Sequence, residues 1–188
     1  MDIFKMSIRD RYVGFVYRLA TGNKKLRTII TLPVALVFLG LVTLFVFVSL
    51  WVDTKFSFFH FESSWLILAL SIMILILGWL ICMWAALSFL RNRGTPVPFN
   101  PPQKLITTGL YRYIRNPMLL GLFIFLVGLG LLLGSLSLIF ILTPIFIIIN
   151  VLYLMAIEEK EMEKKFGKQY LDYKKKVPMW FPRFFKGN

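Results

Sequence analysis

The chain has 188 residues, 58% of them hydrophobic and 16% charged, with a formal net charge of +13. That apolarity excludes an ordinary soluble domain, and a basic excess confined to short segments beside apolar blocks argues against nucleic-acid binding. One cysteine (Cys82) and one histidine (His60) exclude a disulfide framework and weigh against zinc catalysis, a Cys-His dyad or a Ser-His-Asp triad.

Residues 1–27 set Phe4, Ile8, Tyr12, Phe15 and Leu19 against Lys5, Arg9, Arg11 and Arg18. These spacings predict an amphipathic helix on the membrane face, with surface anchoring as its role and substrate docking as the alternative. Thr28 to Trp51 is an uncharged run long enough to cross a hydrocarbon core of about 30 Å. It exceeds a signal-peptide apolar core and no small-residue cleavage site follows, so it reads as a retained signal anchor. Asp53 to Ser63 is a short external loop whose Phe56, Phe58, Phe59 and Phe61 are ordinary interfacial aromatics. Ser64 to Leu90 forms the second span, with Cys82 as a buried, inert thiol.

Arg91 to Arg115 is a polar loop. Gly94-Thr95-Pro96-Val97-Pro98 and Asn100-Pro101-Pro102 prevent continuous helix and favour extended or polyproline backbone. Asn116 stands at an N-cap position and Pro117 at the first helical position of a third span, Pro117 to Leu133. The unsatisfied N–H groups and positive dipole end of that helix face the loop. Gly121, Gly128 and Gly130 permit close approach of another helix or leave room for a ligand. Only Gly134, Ser135 and their neighbours separate this span from a fourth, Leu136 to Ile157, so the two form an antiparallel hairpin. Arg115-Asn116-Pro117 then lies near Glu158-Glu159 in space. From spacing alone these glutamates also read as charged helix ends paired with arginine.

Asn150 and Tyr153 or Leu154 share a helical face with Glu158, which carries a polar stripe into the fourth span. Beyond Glu158 the helical pattern continues, with Glu161 and Lys165 as an i,i+4 pair and Met162, Phe166 and Tyr170 as an apolar stripe. Gly167 interrupts it, and the aromatic, proline-rich Val177 to Arg183 folds back against the membrane surface.

Seven Lys/Arg precede the first span, one follows it, five lie from Arg91 to Arg115, none in the 134–135 turn and nine from Lys160 onward. This alternation places both termini and the 91–116 loop in the cytoplasm and adds attraction to anionic lipid headgroups. The expectation is an all-α integral membrane protein: residues 1–188 as a single membrane domain with about four transmembrane helices and a cytoplasmic C-terminal helix. These patterns set no oligomeric state.

The run Gly109-Leu110-Tyr111-Arg112-Tyr113-Ile114-Arg115-Asn116-Pro117-Met118-Leu119-Leu120-Gly121 resembles the Gly-x-Tyr-x-x-x-Arg-His/Asn-Pro-x-Tyr-x-Gly motif of the isoprenylcysteine carboxyl methyltransferase and phospholipid methyltransferase group. Glu158-Glu159, followed by Phe166-Gly167, Tyr170, Tyr173, Val177 and Pro182, resembles its second motif. Gly94-Thr95-Pro96 with Pro98 is similar to prokaryotic members, so the resemblance covers residues 91–183. Asn116 stands where eukaryotic members carry His, and Leu119 replaces the usual second Tyr.

The resemblance implies S-adenosylmethionine as methyl donor, bound by Lys104, Leu105, Gly109, Tyr111, Arg115, Asn116, Pro117, Met118, Glu158 and Glu159. Of these, Arg115, Glu158 and Glu159 are the implied catalytic residues, with no metal. Arg115 or the third helix's N-terminus would take the donor's carboxylate, and Glu158 or Glu159 its ammonium. Tyr111 would offer an aromatic face, and the backbone from Lys104 to Gly109 an adenine edge. Asn150 and Tyr153 are the candidate substrate residues. In-line methyl transfer needs alignment and exclusion of water. A carboxylate acceptor needs no base, whereas an amine does, and glutamate is the evident candidate. The acceptor implied is a membrane lipid or lipid-attached group. The alternatives are an NADPH-dependent membrane sterol-type reductase, which carries a similar Arg-His-Pro motif, and a non-enzymatic membrane scaffold.

Overall fold

Hydrocarbon offers no partner to a backbone N–H or C=O, so an apolar chain segment must satisfy those groups internally. In the computed structural model, which describes residues 8–22, 24–56, 64–92 and 102–180, the apolar blocks are helical and the described residues hold no strand. In chain order the helices are α1 (Ile8–Thr21), α2 (Lys24–Lys55), α3 (Trp65–Arg91), α4 (Pro117–Leu133), α5 (Leu138–Phe166) and α6 (Lys168–Lys176). A short 3-10 turn, Gly109–Arg112, precedes α4. Ile29–Lys55, Trp65–Arg91 and Leu138–Phe166 are long and apolar enough to cross a membrane, and α4 is a shorter apolar helix. Large apolar side chains such as Leu36, Phe47, Trp51, Trp65, Met73 and Trp79 lie exposed along α2 and α3, a surface suited to lipid rather than water. This is the all-α, multi-pass membrane architecture expected. The predicted loop segments Phe58 to Phe61, with His60, and Gly94 to Pro98 with Asn100-Pro101 lie outside the described residues, as do Phe4, Lys5 and Phe181 to Arg183.

The chain divides into two compact units. One comprises Leu36–Ala85 and Asn116–Ile149, and the other Met1–Ala35, Ala86–Arg115 and Asn150–Asn188. In the first, α3 and α4 meet backbone to backbone. A Cβ added at Gly78 would stand 2.5 Å from the Phe125 nitrogen and 2.7 Å from the Gly121 carbonyl oxygen. One added at Gly121 would meet the Gly78 carbonyl oxygen at 2.8 Å. The glycines of α4 therefore serve helix packing. The Cys82 thiol, half-buried, donates to the Met118 carbonyl at 3.3 Å.

α4 ends at Gly134, whose φ of 64° is left-handed, and the Ser135 N–H closes back on the Gly130 carbonyl at 2.9 Å. The hairpin turn is then fixed by Asp53 at the end of α2. Its carboxylate accepts from the Ser135 hydroxyl and from the Ser137 N–H, the latter at 3.0 Å. Ser135 Oγ accepts from the Leu138 N–H at 3.1 Å, and the Ser137 hydroxyl donates to the Ser49 carbonyl at 2.7 Å. Asp53, Ser135 and Ser137 are at most 1% exposed, so a buried carboxylate is fully partnered while it caps the start of α5. Phe146 fills the space between, with ring centroids 5.4 Å from Phe45 and 6.2 Å from both Phe38 and Phe123.

α5 is irregular at two places. Leu138–Leu142 and Leu154–Glu158 are wide turns with i→i+5 hydrogen bonding. The first has a local cause. Pro144 has no N–H to give to the preceding turn, and a widened turn absorbs the break. The second has no proline, and it leads directly into the candidate site.

Candidate active site

In the second unit, α1 packs on Leu154–Glu158 and on Glu159–Phe166, with Val13 only 1% exposed. α5 stops at Gly167, whose φ of 54° and ψ of −130° suit glycine alone, and α6 turns back. The predicted apolar stripe closes here. Tyr170, Tyr173 and Val177 form a buried cluster against Leu105, Met162 and Phe166. Leu105, one of the residues expected to bind the donor, packs against this cluster. The chain after α6 reaches Arg115, whose N–H donates to the Pro178 carbonyl at 3.0 Å.

The hairpin expectation holds at its central point. Arg115 Nη1 donates to Glu159, a residue 44 positions away, and also reaches the Tyr170 hydroxyl at 3.5 Å. Both partners of the pair are about nine-tenths buried. Lys174 pairs with the other oxygen of Glu159 and with Glu163, the latter at 3.0 Å. Glu159 is therefore saturated by two cations, and its hydrogen bond raises the Lys174 ammonium above its ordinary value. Each oxygen of Glu159 thus carries one cation contact.

Tyr111 is 6% exposed, its ring set edge-on to Phe89 at 5.8 Å, and its carbonyl accepts from the Tyr173 hydroxyl at 2.7 Å. Burial, with Tyr173 and Glu158 adding to it, pushes the Tyr111 phenol up. Burial also raises the Tyr173 phenol, and it pushes Tyr170 up to about 12. Tyr170 and Tyr173 lie within electrostatic reach of Arg115, and Tyr111 lies next to Tyr173.

Glu158 differs from its neighbour. No hydrogen bond or ion pair with a described residue engages it, and it faces Glu159, Glu161, Tyr111 and Tyr153. The wide turn explains how Tyr153 and Glu158 come together. In a regular α-helix five residues turn roughly 140° about the axis, whereas an i→i+5 turn sets the fifth residue about one turn along. Leu154, the alternative for that face, is 2% exposed and belongs to the core. Asn150, half-buried, has a partner, as expected of an amide in an apolar span.

Two buried polar atoms at the site have no hydrogen-bond partner, Arg115 Nε and Glu161 Oε1. Gly109, with φ of 63°, opens the 3-10 turn. Lys104 is exposed and borders a cavity of about 360 Å³ with Arg91, Asn92 and Gln103, while the Gln103 N–H donates to the Asn92 carbonyl at 3.3 Å. Lys165 donates to the Pro102 carbonyl at 2.9 Å while lying within electrostatic reach of Glu161. Asn116, Pro117 and Met118 fall in the other unit. Pro117 is the first residue of α4 as predicted, and Asn116 occupies the N-cap position without a side-chain cap.

Sequence reasoning missed Lys174, Glu161 and Tyr12 as members of this neighbourhood. For Lys174 a signal existed, since it follows Tyr170 and Tyr173 on the same short helix. For Tyr12, which hydrogen-bonds the Tyr153 side chain, there was none, because the pairing joins distant parts of the chain.

The sequence profile of the phospholipid methyltransferase family matches residues 66–169, more than half of the chain. A protein-S-isoprenylcysteine O-methyltransferase of Schizosaccharomyces pombe is 34% identical over 86 residues, 44% of this chain and 35% of the relative. Methanethiol S-methyltransferase 2 of Bradyrhizobium diazoefficiens is 31% identical over 102 residues, 52% of this chain and 35% of the relative. The matched stretch thus spans about a third of each relative's length. The chain belongs to the phospholipid methyltransferase family.

Proposed function

We propose that this chain, a membrane member of that family, transfers a methyl group from S-adenosylmethionine to a lipid or lipid-attached acceptor, through a site centred on Arg115 and Glu158. The family match supports the methyltransferase reading over the reductase and scaffold alternatives. The observation that carries the assignment of residues is the division of labour between Glu158 and Glu159. Glu159 is consumed by Arg115 and Lys174, while Glu158 has neither cation nor hydrogen bond among the described residues.

The orphaned atoms fit such a donor. Arg115 Nε is buried without an acceptor, Glu161 Oε1 is buried without a donor, and the charges acting on Glu158 are those of other carboxylates. A molecule with a carboxylate, an ammonium and a sulfonium satisfies both deficits. Bound there, it supplies an activated methyl group. Arg115, fixed by Glu159 and Tyr170, holds a carboxylate through its remaining donors. Glu158 holds the ammonium, and the buried tyrosines exclude water. Asn116, Pro117 and Met118 follow Arg115 in the motif and belong to the other unit. Both termini and this site lie on the cytoplasmic side, the assignment the Lys/Arg distribution supports.

The test is transfer of a labelled methyl group from the donor to native lipid extract by the purified protein. Wild type labels lipid, and Glu158→Gln and Arg115→Ala each lose at least tenfold. Label passed only to a small thiol would replace the lipid acceptor with the class named for the Bradyrhizobium relative. Label passed to neither acceptor contradicts the reading.

A further inference from the structure

α1 is the part of the molecule that the methyltransferase reading leaves without a role. Its composition suits a surface anchor, yet it packs on Leu154–Glu158 and Glu159–Phe166, the two segments that carry the acidic residues. Tyr12 of α1 hydrogen-bonds the Tyr153 side chain, and Tyr153 in turn faces both Glu158 and Glu161. Glu161 is 6% exposed, and its Oε1 is buried without any hydrogen-bond partner. The cation nearest it in electrostatic terms, Lys165, is engaged at the Pro102 carbonyl.

Glu158 and Glu161 act on each other and on Tyr153, Tyr12 adjoins Tyr153, and one oxygen of Glu161 is buried without a partner. A buried carboxylate without a partner is strongly unfavourable. Aromatic walls beside carboxylates are the arrangement that binds alkylated ammonium and sulfonium centres. A metal ion is a poorer match, since the described residues hold no group of three or more His, Cys, Asp or Glu side chains placed to ligate one.

We propose that Tyr12, Tyr153, Glu158 and Glu161 form a site for an organic cation, a sulfonium or alkylammonium centre, and that α1 is its wall. Glu158 is shared with the donor site, so the proposal rests on that reading for its role in catalysis, though not for cation binding itself. Glu161 and Tyr12 are then binding residues. The cation comes from one of two sources, the sulfonium of the methyl donor or an amine on the acceptor.

The experiment measures binding to the full chain in lipid nanodiscs by calorimetry, with far-UV circular dichroism as the folding control. The probes are tetramethylammonium, S-adenosylmethionine and S-adenosylhomocysteine, which lacks the sulfonium charge. Tetramethylammonium is expected to bind wild type and to lose at least tenfold in affinity in both Glu161→Gln and Tyr12→Ala. S-adenosylhomocysteine binds wild type and both variants equally. If S-adenosylmethionine weakens in step with tetramethylammonium, the cation is the donor's. If it is unaffected, the cation is the acceptor's. Tetramethylammonium that fails to bind, or binds wild type and both folded variants alike, overturns the proposal. Tyr12→Ala lies on the outer helix, so it decides the matter even if Glu161→Gln does not fold. S-adenosylhomocysteine that fails to bind wild type overturns the donor reading instead, and the tetramethylammonium comparison still judges the cation site.

Discussion

Arg115 and Glu159 show how a residue's chemistry is set by what already occupies it. Both were expected to meet a ligand, and the hairpin did bring them together. Yet Glu159 is held by Lys174 as well, whereas the charges acting on Glu158, one position earlier, are those of Glu161 and Glu159, and the proposed site gives the ligand to Glu158. Adjacent identical letters cannot be told apart without the turn of the helix. The same neighbourhood makes a pH prediction. Burial holds the folded-state value of Tyr170 near 12, above its ordinary 10.0, and the Lys174 ammonium also lies above its ordinary 10.5. For both, the protonated form is favoured by the fold. Their stabilising contribution is therefore complete below about pH 10 and is lost as pH rises through the folded-state values. Chemical denaturation as a function of pH, with phenolate absorbance in parallel, should show stability falling above pH 10 and a subset of tyrosines ionising late. Uniform tyrosine titration near pH 10 with no loss of stability would contradict this.

Helix boundaries were legible because hydrocarbon permits few solutions. The runs from Thr28, Ser64 and Leu136 became α2, α3 and α5, and Pro117 began α4. Gly167 was recognised as a break, and the reason is conformational, since nothing lies within 4 Å of a Cβ added there. Gly167→Ala therefore meets no clash and costs only backbone strain, about 1–3 kcal/mol. Thermal unfolding should show a clear fall in midpoint, whereas an unchanged or raised midpoint would show that α6 is not held in its observed turn. The wide turn at Leu154–Glu158 was not legible. An i→i+5 turn leaves no periodic signature in an apolar run, and the α-helical register offered Leu154 as readily as Tyr153 for the face of Glu158.

At the scale of the whole molecule, composition and the lengths of the apolar runs sufficed for class and for three span-length helices with a shorter fourth, and two ordered motifs sufficed for the family. Long-range polar pairings were missed. Asp53 and Ser135 are 82 residues apart, and Tyr12 meets Tyr153 across most of the chain. Such contacts depend on which helix ends coincide, and hydropathy carries no record of that. The central claim is that a donor-binding site is built on Arg115 and Glu158. Its most direct measurement is calorimetric titration of S-adenosylmethionine into the purified chain and into Arg115→Ala and Glu158→Gln, all shown to be helical. The account predicts saturable binding by wild type and at least tenfold weaker binding, about 1.4 kcal/mol or more, in each variant. No binding to wild type, or equal binding to all three, would contradict it.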